Sequence, residues 1–167
     1  HSCNSYFYHR VISQISFHDL IFILNRFNLS ESFLKAPLSQ SDFLQAGVGL
    51  KGVFQATPRQ ILYAYLALLN GGILLNEKGE AVRQISLSFQ VLEDIKQGMR
   101  GAYLFGTASK ARTFAPLEDA AAKTGTGGVS WRTTTGWAVF LWPAERPRYA
   151  LLSLSEPGTG AQEASLL

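Results

Sequence analysis

Cysteine, charge and long apolar runs are all scarce in this chain, and each scarcity closes off a class of protein. Cys3 is the only cysteine, which excludes an internal disulfide and leaves the redox compartment open. Charged residues make up 16% of the 167 residues, against roughly 25% in an average globular protein. Fifteen basic and twelve acidic side chains leave a net charge of +3, scattered without any Lys/Arg run. Nucleic-acid binding therefore has no electrostatic footprint. The longest apolar stretch, residues 61–75, is broken by Asn70-Gly71-Gly72 and falls short of the ~20 residues of a membrane span. His1-Ser2-Cys3-Asn4-Ser5 has neither the basic start nor the apolar run of a signal peptide. Any export signal is expected upstream of His1.

What is abundant is apolar and aromatic: 47% hydrophobic residues and 12% Phe, Trp and Tyr, enough for one domain with a sizeable core. A surface so poor in charge anticipates cover from another segment or a partner. Residues 5–15 and 17–27 carry apolar positions at helical spacing, among them Tyr6, Phe7, Val11 and Ile15, then Leu20, Ile21, Leu24 and Phe27. Thr57-Pro58-Arg59-Gln60 reads as a capping box opening a helix that stops at Asn70-Gly71-Gly72. A further helix is expected over residues 91–103. Then the texture changes. Residues 120–124, 135–142 and 149–155 are short apolar runs bounded by Gly, Pro and Thr, and the tight connection 143–147 pairs the last two antiparallel. The fold class this predicts is α+β, with helices flanking an antiparallel sheet.

Lys123-Thr124-Gly125-Thr126 is the sharpest chemical feature. On a strand edge, a lysine ammonium can hold an anion and bias nearby hydroxyl protons. Two threonine hydroxyls can bond a carboxylate, and Gly125 removes a side chain where a substrate backbone must approach. The plain alternative is a hairpin rim with a turn. Ser2 and Asn4, two apart, can both face a cleft, one relaying a proton and one holding an amide, or can simply cap a helix. His9 and His18 have no metal-ligand spacing, and no metal or other cofactor is expected. Asp42, Glu93-Asp94 and Glu118-Asp119 read as solvated faces or caps. Trp137 and Trp142 read as core or sheet-face residues, and Trp131 as a candidate cleft lining beside Thr126.

The sequence between these motifs resembles one family. Gly47-Val48-Gly49, Thr57-Pro58, Asn70-Gly71-Gly72, Gly106-Thr107-Ala108 and Gly136-Trp137-Ala138-Val139-Phe140 with Pro143 follow the order of motifs in penicillin-binding transpeptidases. Ser2-Cys3-Asn4 matches their SxN motif and Lys123-Thr124-Gly125 their KTG. The resemblance implies a β-lactamase/transpeptidase-like fold, with residues 1–167 as the C-terminal portion of a single domain. It also implies a D,D-transpeptidase or carboxypeptidase of peptidoglycan, working through an acyl-serine and binding stem peptides and β-lactams in the periplasmic or extracytoplasmic cell envelope. Ser2 becomes the proton relay and Asn4 the amide-binding group. Lys123 sets the field, and Thr124 and Thr126 bind a terminal carboxylate. The Thr126 N–H supplies half of an oxyanion hole, worth about 2.7–4 kcal/mol by analogy. The nucleophile of the SxxK motif precedes SxN in that family, so it is expected upstream of His1, in a segment this chain needs as its partner and without which it is catalytically inert. Ser32-Phe33-Leu34-Lys35 has the SxxK spacing but follows SxN, and is read as surface chemistry near a helix end. The resemblance leaves a second possibility, a non-catalytic module of the same fold that binds stem peptides or scaffolds envelope proteins.

Overall fold

Serine caps open both of the α-helices described in the N-terminal segment. In the computed structural model, which describes residues 6–29, 39–49, 55–128 and 134–166, the chain divides into two compact units, His1–Thr57 and Pro58–Leu167. In the first, Ser16 and Asp19 cap helix α1 (Phe17–Arg26) reciprocally. Asp19 N–H donates to Ser16 Oγ at 3.2 Å, and Ser16 N–H donates to Asp19 Oδ2 at 2.7 Å. Asn28 closes the helix at φ 61°, a left-handed conformation that asparagine tolerates better than most residues. Ser39 caps α2 (Gln40–Gly47) through the Asp42 N–H at 3.1 Å. Phe43 meets Phe7 and Phe17 edge-on, at 6.4 and 6.3 Å between ring centroids. The Phe7 ring lies where a side chain on Gly47 would go, 2.1 Å from the position of its missing Cβ. The helix expected over residues 5–15 is shorter and wider than its spacing predicts, a π-helical turn at Phe7–Val11.

The second unit begins with α3 (Pro58–Leu69). It stops at Gly71 and Gly72, both at positive φ, and at Gly72 a Cβ would sit 2.4 Å from the Ile85 carbonyl oxygen. A hairpin of β1 (Ile73–Leu75) and β2 (Ala81–Gln84) follows, then α4 (Phe89–Leu104), capped by Ser88, and a short α5 (Ala111–Phe114). Strands β3 (Ala121–Gly128), β4 (Thr134–Trp142) and β5 (Tyr149–Ser155) form an antiparallel sheet in the order β3-β4-β5. A 3-10 turn at Ala164–Leu166 ends the described chain.

The sheet is apolar on both faces. Because strand side chains alternate, Ala121, Val139 and Leu141 pack with Leu69 of α3 and Met99 of α4. Ala122, Phe140 and Trp142 meet Tyr103 and Ala108 on the other side. Burying each large aliphatic side chain here contributes about 1.5–3 kcal/mol. The mixture of helices and antiparallel sheet is the α+β class expected, and the pairing of β4 with β5 across residues 143–147 is also as expected. Among the described residues no helix is long and apolar enough to cross a membrane.

Candidate active site

Lys123, Thr124, Gly125 and Thr126 lie in the middle of β3, one of the two outer strands of its sheet among the described residues. Their cross-strand partners are Val139, Ala138, Trp137 and Gly136. The pleat puts Lys123 and Gly125 on one face and Thr124 and Thr126 on the other. Lys123 is half-buried, and its ammonium donates to the Thr124 carbonyl. At Gly125 a Cβ would meet nothing nearer than the Trp137 Cβ at 3.9 Å, so packing within the fold does not demand glycine there.

Each threonine hydroxyl has a partner from outside the strand. Thr124 Oγ1 lies 2.6 Å from Thr107 Oγ1, in the turn after α4. Thr126 Oγ1 accepts the Gly160 N–H at 3.0 Å. Gly160 belongs to a strap, residues 158–166, laid across the β3–β4 ladder. The Gly158 N–H donates to the Thr134 carbonyl at 3.0 Å, and the Ser153 hydroxyl donates to the Ala164 carbonyl. Glu163 folds the strap on itself, accepting the Thr159 N–H at 2.6 Å and its hydroxyl at 2.9 Å. Those two bonds hold the Glu163 carboxyl below its usual range.

An ion cluster fixes the approach to β3. Arg100 of α4 donates through Nε and a terminal nitrogen to Asp119 Oδ1, at 2.9 and 2.7 Å. Asp119 Oδ2 accepts the Glu145 N–H at 3.1 Å. Glu145 bonds Arg100 at 3.2 Å and Lys96 at 3.0 Å, and Lys96 also reaches Glu93 at 3.1 Å. Burial alone would raise the Asp119 carboxyl, but the Glu145 N–H and the Arg100 guanidinium outweigh it and hold the carboxyl below its usual value. Glu93 and Asp119, read from the sequence as solvated faces or caps, are thus structural ion-pair partners.

Residues 1–166 match the family model for the penicillin binding protein transpeptidase domain. The chain belongs to that family. Solved penicillin-binding proteins share its fold. The penicillin-binding protein PBP2 from Helicobacter pylori is 24% identical with a TM-score of 0.77, covering 97% of this chain and 35% of that one. PBPA from Mycobacterium tuberculosis is 22% identical with a TM-score of 0.76, over 98% of this chain and 45% of that one. The penicillin G acyl-enzyme complex of penicillin-binding protein A from M. tuberculosis is 21% identical with a TM-score of 0.70, over 99% and 42%. This chain therefore spans between a third and a half of the length of these three solved chains. No curated protein matches.

In this transpeptidase-domain chain, the four residues of the KTG strand stand together on β3, while Ser2 and Asn4 lie outside the described residues, as do Ser32, Lys35 and Trp131. His9 and His18 are exposed. Trp137 and Trp142 are half-buried on the sheet, and Trp142 stacks on Tyr149 at 5.4 Å. Thr107 and Gly160 touch the KTG strand without having been singled out for that role. Thr107 carried a signal, as the centre of the Gly106-Thr107-Ala108 motif. Gly160 carried none, because its partner is 34 residues away in sequence.

Proposed function

We propose that the protein containing this chain is a serine-type D,D-transpeptidase of peptidoglycan that also takes β-lactams as acylating substrates, in the bacterial cell envelope. The observation that carries the reading is the display of Lys123-Thr124-Gly125-Thr126 on an edge strand, with a glycine that packing does not require. Acyl-enzyme complexes of penicillin-binding protein A from M. tuberculosis with penicillin G and imipenem support β-lactam recognition.

In this reading the nucleophile is a serine N-terminal to His1, and its lysine with Ser2 carries the proton. The serine oxygen forms an ester to the substrate carbonyl while the scissile C–N bond breaks, and the leaving nitrogen takes the relayed proton. An amine of a second stem peptide then attacks the ester and frees the serine hydroxyl, which completes the cross-link. Asn4 holds the substrate amide. The Lys123 ammonium favours both the substrate carboxylate and the developing oxyanion. The Thr124 and Thr126 hydroxyls donate to that carboxylate. Among the described residues Thr126 Oγ1 accepts from Gly160 and donates to none, so its proton is there to give. Residues two apart in a strand turn their N–H and C=O groups to the same edge. The Lys123 ammonium on the Thr124 carbonyl supports placing both residues on the open edge, where the Thr126 N–H meets an oxyanion.

The test is labelling of the full-length protein with a fluorescent penicillin, followed by mapping of the adduct by peptide mass spectrometry. The expected result is one adduct per protein on a serine N-terminal to His1. Absence of any adduct on folded protein overturns the enzymatic reading in favour of a stem-peptide-binding module. An adduct on Ser32 overturns the assignment of the nucleophile.

A further inference from the structure

Thr124 is 9% exposed, so its hydroxyl depends on a partner inside the protein, and that partner is the hydroxyl of Thr107 at 2.6 Å. Only one proton fits between the two oxygens. The pair owns two hydroxyl protons, so whichever residue donates, one O–H is left to point elsewhere. The pair thus behaves as a single donor whose direction depends on both residues.

Thr107 is itself held on both sides. Gly106 closes the end of α4, its N–H donating to the Gly101 carbonyl at 3.0 Å. A Cβ there would lie 2.7 Å from the Ala102 Cα, so no side chain fits. Ala108 is fully buried against Tyr103, Ala120 and Ala122, and its N–H donates to the Ala102 carbonyl at 3.0 Å. Between them Thr107 is exposed to solvent while its hydroxyl reaches the strand. A residue in that position fills no core volume. Its fixed contribution is the oxygen it brings to Thr124.

We propose that Thr107 is a positioning residue for anion recognition: it aligns the Thr124 hydroxyl so that the pair presents one O–H to the carboxylate of the substrate. The inference rests on the transpeptidase reading above and extends it to a residue outside the three motifs. A tether that merely ties the α4–β3 connection to the sheet would affect charged and neutral substrates alike. A carboxylate donor would affect only the charged one.

The experiment uses full-length protein, wild type, T107V and T107S, acylated with benzylpenicillin and with its methyl ester, which keeps the β-lactam ring and lacks the anion. Second-order acylation rates are read with thermal melts alongside. Wild type is expected to prefer the free acid. T107V should lose about tenfold of that preference, in keeping with the loss of one buried hydrogen bond, while T107S retains it. The inference is overturned if T107V keeps the wild-type preference, or if T107S loses as much as T107V. Wild type that acylates with neither compound overturns the transpeptidase reading and this inference together.

Discussion

Gly160 donates its N–H to Thr126 Oγ1 at 3.0 Å, so the strap is bonded to the fourth residue of the Lys123-Thr124-Gly125-Thr126 motif. The contact is close enough to exclude any side chain. A Cβ on Gly160 would lie 2.3 Å from the Gly125 carbonyl oxygen, 2.5 Å from that of Trp137 and 2.7 Å from the Gly125 nitrogen. All three are backbone atoms, with no flexible side chain to swing aside. Gly160→Ala should therefore destabilise the protein by about 3 kcal/mol, the upper end of overpacking costs. It should also slow β-lactam acylation in the fraction that stays folded, because Thr126 loses the N–H that orients it. A melting temperature unchanged from wild type would mean that the strap does not sit on the strand.

Tyr103 makes a second test of how the site is held. Its ring is 1% exposed, and its hydroxyl accepts the Leu117 N–H at 2.9 Å while donating to the Ala115 carbonyl. Tyr103→Phe removes both of these bonds but leaves the Leu117 N–H on the Ala115 carbonyl at 2.8 Å, so the cost should be about 1 kcal/mol. Hydrogen exchange should speed up at Leu117 more than at the β4 amides. Equal protection at Leu117 in both proteins would show that the hydroxyl is not what ties this connection down.

These links explain what was legible beforehand. Strands β4 and β5 stood out because β4 is buried on both faces and reads as one apolar run, Trp137 to Trp142, bounded by glycine and proline. Helix α1 announced itself through the helical spacing of Leu20, Ile21, Leu24 and Phe27. Strand β3 runs four residues beyond the expected end at Thr124, because eight ladder pairs with β4 hold Gly125, Gly127 and Gly128 extended against their low strand propensity. The β1–β2 hairpin was missed for the opposite reason: β2 is exposed throughout and has no alternation to detect. At the site, Lys123-Thr124-Gly125-Thr126 could be read as a local string. The hydroxyl partners Thr107 and Gly160 arrive from 17 and 34 residues away, and no local period encodes such contacts.

Asp119 should dominate one part of the acid limb of stability. Its Oδ1 takes two bonds from Arg100 and its Oδ2 takes the Glu145 N–H, so both oxygens must accept. Asn offers one acceptor and one NH2, and turns a donor toward either Arg100 or Glu145. Asp119→Asn is expected to cost about 2 kcal/mol at pH 7, in the range for hydrogen bonds to charged groups. The folded carboxyl titrates below its usual 3.8. Its contribution is therefore present above about pH 4 and is lost as the pH falls through the lowered value. Melting temperatures from pH 7 to pH 2 should show a smaller acid decline in Asp119→Asn than in wild type. Parallel curves would mean that Asp119 is not stabilised as a carboxylate by the fold.

Lys123→Ala separates chemistry from structure, in the full-length protein. The side chain is half-buried on an outer strand and, among the described residues, makes one bond, to the Thr124 carbonyl, so its removal should change stability by no more than about 1 kcal/mol. Its charge, by contrast, would act on both the substrate carboxylate and the developing oxyanion, where a shielded site strengthens electrostatics. Loss of such an interaction should slow acylation by penicillin on the order of a hundredfold. Thr126→Val should slow it less, since it removes a hydroxyl and keeps the backbone N–H. Second-order acylation rates for wild type and both variants, with melts on the same samples, decide the matter. Normal acylation by Lys123→Ala would make the KTG strand a structural hairpin and leave the binding-module reading standing. A melt far below wild type would make the lysine structural, and the rate loss could then not be assigned to its charge.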